Sequence, residues 1–96
     1  MATIEDIIKN TKKYNRKSNS KLINKAYEFA KHYHEGQVRK SGEPYIIHPL
    51  EVAYIVSTVE LDDDDICAAL LNDVVEDTEV TREMIVAEFG EEIANL

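Results

Sequence analysis

Asp73, Glu76 and Asp77 lie within five residues of one another in the second half of the chain. On a helix the spacing i, i+3 and i+4 puts all three on one face. Ile66, Ala69 and Leu70 form an apolar stripe that leads into that face, so the spacing predicts an inward orientation. Three like charges there repel one another, and near a helix C-terminus the dipole adds to the cost. A bound cation or a proton-transfer task would give the arrangement a use. A solvated helix end, with Asp77 or Thr78 helping to cap the next turn, is the alternative, and the local pattern leaves both open. His48 is the second candidate. It stands at the end of a loop just before Pro49, where a neutral imidazole could bind a metal while its other nitrogen is held by an acceptor. A lone His is more often structural. Arg39, Lys40, Ser41 and Gly42 supply two cations, a hydroxyl and a pliant backbone, a set that can hold phosphate oxygens or stack on a base. The run lacks the spacing of a Walker phosphate loop and is otherwise an ordinary basic turn. His32 and His34 read as structural, His34 packing near the Gly36 turn.

The elements that must position these groups are helical. Ile4, Ile7 and Ile8 predict a short first helix, followed by a polar stretch from Asn15 to Ser20. A second helix begins near Ser20, with Leu22, Ala26, Phe29, Ala30 and Tyr33 on one stripe, and stops by Gly36. A loop from Gln37 to His48 holds Gly42 and Pro44. Pro49 opens a third helix, where its missing N–H costs nothing, and Val52, Ala53, Val56 and Val59 form its stripe. Asp62 to Asp65 precede a fourth helix that runs through Asp73. Carboxylates at that position suit the helix dipole and can cap free N–H groups, which is favoured over a metal site. Thr81 caps a fifth helix with Met84, Ile85 and Phe89, Gly90 ends it, and Glu91 to Leu96 begin a sixth. No segment alternates as a strand does, so the class is all-α.

Length and charge narrow the function classes. A chain of 96 residues is expected to form one small domain, with 44 % hydrophobic and 31 % charged residues, as in a folded rather than a disordered protein. Cys67 is the sole cysteine, so no internal disulfide can form. The start Met-Ala-Thr-Ile-Glu-Asp has neither the basic nor the apolar run of a signal peptide, and no stretch is apolar enough for a membrane span. A cytoplasmic location without membrane contact is the expectation. The net charge of −8 is unevenly spread. Residues 1–48 hold ten Lys/Arg against five Asp/Glu, whereas residues 49–96 hold one against fourteen. The acidic half suits divalent cations and argues against nucleic acid, and the basic half could hold phosphates.

Taken in order, these segments resemble the hydrolase domain of the RelA/SpoT-homologue family. The matching pieces are His34-Glu35-Gly36-Gln37, Arg39-Lys40-Ser41-Gly42-Glu43-Pro44-Tyr45-Ile46, His48-Pro49-Leu50 and Val52-Ala53. They continue with Ala69-Leu70-Leu71, Asp73-Val74-Val75-Glu76-Asp77-Thr78 and Phe89-Gly90. Each piece is weak, but the ordered set is specific. The resemblance covers residues 20–96, with residues 1–19 as an N-terminal helix and connector. It implies an HD-type helical bundle holding a manganese ion and a reaction that removes the 3′-pyrophosphate of guanosine tetra- or pentaphosphate. The His before the Pro, here His48, would be a metal ligand, as would the His-Asp pair, here Asn72 and Asp73. Glu76 and Asp77 would activate or position the attacking water, and Arg39, Lys40 and Ser41 would lie by the nucleotide.

Two departures follow from the same resemblance. Asn72 stands where the family has His, and an amide oxygen is a weak, neutral ligand. No residue matches the family's later Asp ligand. A domain truncated at its C-terminus is therefore expected, inactive by itself and prone to self-association through exposed apolar surface. The alternative is a degenerate HD module that binds nucleotide or a partner without catalysis.

Overall fold

The computed structural model describes residues 2–96 as seven helices: α1 (Ile4–Tyr14), α2 (Ser20–Tyr33), α3 (Ile47–Thr58), α4 (Asp63–Leu71), α5 (Val74–Asp77), α6 (Arg82–Phe89) and α7 (Glu91–Ala94). Among the described residues the only β pairing is an isolated antiparallel bridge between Val38 and Pro44. The all-α expectation holds.

Local chemistry sets most helix boundaries. Thr3 and Asp6 form a reciprocal capping box on α1. The side chains of Asn19, Asp62 and Thr81 accept the N–H groups of Leu22, Asp65 and Met84, capping α2, α4 and α6. Gly90 ends α6 at φ +89° and ψ 164°, a region that essentially only glycine occupies.

Helix α4 is the hub. It packs against both α2 and α3 and also touches α7, while α1 lies across α3 and α2. Ile7, Ile23, Ile66 and Leu70 are fully buried where these helices meet. Each contributes about 1.5–3 kcal/mol by leaving water. The acidic run that opens α4 ties the connectors together. Asp63 accepts the Ser18 hydroxyl and the Asn19 N–H, both at 2.7 Å, fixing the link between α1 and α2. The capping role expected for this run is what the structure shows.

Three expectations are corrected. The α3 helix begins at Ile47 rather than at Pro49, because the carbonyls of Pro44 and Tyr45 accept the N–H groups of Ile47 and His48. His48 therefore sits in the first helical turn, not at the loop end. The buried stripe of α3 runs through Leu50, Ala53 and Ser57, while Val59 is exposed. Ser57 is tolerated inside because its hydroxyl donates to the Tyr54 carbonyl at 2.6 Å and accepts from Asn10 Nδ2 at 3.3 Å. Finally, the fourth helix is interrupted. It stops at Leu71, and Asp73, at φ −93° and ψ −3°, leads into the separate turn α5. The inward stripe continues from Ile66, Cys67, Leu70 and Leu71 to Val74, so Asp73 is only half-buried, and Glu76 and Asp77 face outward.

Candidate functional site

Three elements converge on the α4–α5 break. The first is the hairpin that follows α2. Tyr45 N–H donates to the Gln37 carbonyl and Arg39 N–H to the Glu43 carbonyl, both at 2.9 Å, so the loop folds back on itself. Gly42, at φ +88°, makes the reversal possible. Arg39, Lys40 and Ser41 occupy the exposed tip. Tyr45 and Gln37 form the base. The second element is the first turn of α3, which carries His48. The third is the break itself, with Asn72, Asp73 and α5.

At the centre, the Tyr45 hydroxyl lies 2.8 Å from Asp77 Oδ2 and 3.1 Å from Asp73 Oδ2. His48 Nε2 stands 3.5 Å from the same Asp73 oxygen. The Asp77 hydrogen bond, followed by burial and the Asp73 bond, pushes the Tyr45 phenol well above its ordinary pKa. Gln37 Nε2 donates to the Asp77 carbonyl at 2.7 Å, and Gln37 Oε1 meets His34 Nδ1 at 2.9 Å. His34 is buried and stacks on the Tyr45 ring, with centroids 4.5 Å apart and planes 26° apart.

The candidate residues named from the sequence divide into groups. His48, Asp73 and Asp77 are brought together through Tyr45. Asn72 and Glu76 instead line a separate hollow of about 240 Å3 with Val75, Arg82, Ile85 and Ile93. No hydrogen bond or ion pair among the described residues joins the side chains of Arg39, Lys40 or Ser41 to Asp73, Glu76 or Asp77. A cleft of about 390 Å3 beside the hairpin base takes in Lys31, His34, Gln37, Tyr45 and Ile46. His32 is exposed and meets Tyr33 edge-on, whereas His34 is buried. Cys67 is buried in the core, where burial and then Asp63 push its thiol up to about 12, leaving it inert. The reading from sequence gave no role to Tyr45 or Gln37. The signal was there in part, since a Tyr and a Gln bracket the basic turn inside the matching strings.

Two ligands held about 2.1 Å from one ion lie about 3.0–3.5 Å apart at octahedral or tetrahedral angles. His48 Nε2 and Asp73 Oδ2, at 3.5 Å, fit two such positions. The remaining positions do not follow. Among the described residues no group of three His, Cys, Asp or Glu is gathered as a metal site. Asn72 turns its amide nitrogen, not its oxygen, toward Asp73, at 3.5 Å from Oδ1. The donor set is half a metal site.

A helical bundle with a His–Asp contact at an interrupted helix defines a class, and the comparison with known proteins agrees with it: the chain belongs to the HD-domain family, whose description, HD domain, matches residues 26–96. Hydrolases of this family are typically metal-dependent. Its relatives place it closer still. A guanosine-3′,5′-bis(diphosphate) 3′-pyrophosphohydrolase of Aquifex aeolicus is 54 % identical over 74 residues, covering 77 % of this chain and 11 % of that protein. A GTP pyrophosphokinase of Myxococcus xanthus is 49 % identical over 75 residues, 78 % of this chain and 10 % of the relative. The GTP pyrophosphokinase rsh of Brucella melitensis biotype 1 is 44 % identical over 91 residues, 95 % of this chain and 12 % of the relative. The resemblance to the RelA/SpoT homologues is thus borne out, and the chain spans about a tenth of the length of these relatives. No helix among the described residues is long and apolar enough to cross a membrane.

Proposed function

We propose that this chain carries one half of a pyrophosphohydrolase site for guanosine tetra- or pentaphosphate, with manganese as its metal. The observation that supports this most directly is the approach of His48 Nε2 to Asp73 Oδ2, from elements 25 positions apart in sequence. In this reading His48 and Asp73 are the surviving metal ligands. Arg39 and Lys40 at the exposed hairpin tip hold phosphate oxygens, and Ser41 adds a hydroxyl donor. Asp77 is the carboxylate that orients the attacking water and takes its proton as the 3′-pyrophosphate leaves, giving GDP or GTP and pyrophosphate, while Glu76, which faces the neighbouring hollow, is left without that role. A bound ion would supply acidified water and charge neutralisation at the phosphates. With half a ligand set, the chain by itself hydrolyses little or nothing.

The second reading, a non-catalytic HD module, is favoured by Asn72, which is exposed and offers its amide nitrogen to Asp73. A calorimetric manganese titration of the chain and of its Asn72→His variant separates the two. Binding by the variant alone identifies position 72 as the lesion in an otherwise correctly placed site. Binding by neither removes the metal reading from this chain.

A further inference from the structure

Asp73 and Asp77 are like charges one turn apart, and the described residues place no Lys or Arg in an ion pair with either. Each nevertheless turns one oxygen, Oδ2, toward the same atom. A phenol has one proton, and at 2.8 and 3.1 Å it is shared between the two carboxylates as a three-centre bond. The hydroxyl thereby fixes the side-chain rotamers of both acids.

Tyr45 is itself held in place. Its ring stacks on buried His34, and its backbone N–H donates to Gln37. The Gln37 side chain in turn bonds the Asp77 carbonyl, so Asp77 is held at its backbone by Gln37 and at its carboxylate by Tyr45. The hydrogen bonds also set the His34 tautomer. Gln37 Nε2 must donate to a carbonyl, so Gln37 Oε1 accepts, and His34 carries its proton on Nδ1. His34 Nε2 is then a lone pair, buried without a partner.

We propose that Tyr45 is a positioning residue of this site: its hydroxyl orients Asp73 toward His48 and locks Asp77 one turn away, while the His34–Gln37 pair keeps the hairpin base in register with α5. The consequence for metal binding rests on the cation reading of His48 and Asp73. The positioning itself does not.

Tyr45→Phe tests this, because it deletes one oxygen and keeps the ring stack. In the metal-free chain, NMR scalar couplings across χ1 of Asp73 and Asp77 should move from single-rotamer to averaged values. Those of Asp6 in the distant capping box, and the helical Cα shifts of α5, should stay unchanged. In the Asn72→His chain, the same substitution should lower manganese affinity by about 10–100-fold, read from the electron paramagnetic resonance of free ion. Unchanged Asp73 and Asp77 couplings would overturn the proposal, as would an affinity within twofold. If the Asn72→His chain takes up no manganese at all, the cation reading fails separately, and the couplings alone decide the role of Tyr45.

Discussion

Replacing Asp63 by Ala should lower the melting temperature by about 8–16 °C, whereas the same change at Asp64 should not. Asp63 accepts the Ser18 hydroxyl and the Asn19 N–H at 2.7 Å each. Ser18 is 4 % exposed, so losing its acceptor leaves a buried hydroxyl with one fewer partner, at about 1–3 kcal/mol. The Asn19 N–H is exposed and can turn to water, adding about 0.5–1 kcal/mol. Relief of repulsion with Asp62, Asp64 and Asp65 offsets about 0.5 kcal/mol. The net is about 2 kcal/mol, which in a domain of this size corresponds to the stated shift. Asp64 accepts no side-chain bond of this kind; burial and its acidic neighbours instead raise its pKa. Scanning calorimetry of both variants at pH 7 is the assay. Equal losses at the two positions, or a loss under about 3 °C for Asp63→Ala, would refute the view that this run acts through specific caps.

Two further outcomes follow from the same geometry. The carboxyls of Asp64 and Asp65 are both raised above their ordinary value, first by burial and then by Asp62. A raised acid binds its proton more tightly in the folded state, so these two groups add stability as pH falls toward the ordinary carboxylate range; urea midpoints measured against pH should lose that contribution in a double Asp64→Asn, Asp65→Asn variant. Gly90→Ala should cost about 1–3 kcal/mol in urea unfolding, because φ +89° with ψ 164° is nearly closed to an L side chain. No atom lies within 4 Å of the added Cβ, so a loss near zero would show that the α6–α7 junction relaxes to another backbone conformation.

Much of the helix map was legible because caps act over three or four residues. Thr81, Gly90 and Asp62 announce their boundaries with no help from the rest of the chain. The stripes were less secure, since burial depends on which neighbour a face meets. Ile23 is fully buried although the predicted α2 stripe ran through Leu22, and Ser57 enters the core because Tyr54 and Asn10 satisfy it. The interruption after Leu71 was illegible for a similar reason. The sequence there has no Gly or Pro, and Val74 rather than Asp73 completes the buried face once α4 lies between α2 and α3.

By itself, the sequence determined the all-helical class, the family, and the residue types available for chemistry, including the Asn at position 72. These depend on composition, order and short-range hydrogen bonding. Only the tertiary structure decided that His48 meets Asp73, that Asn72 and Glu76 face a different hollow, and that Tyr45 bridges the two aspartates. Those contacts join residues 25 to 32 positions apart, and their distances are set by how the hairpin, α3 and the α4–α5 break pack together, which no local pattern encodes.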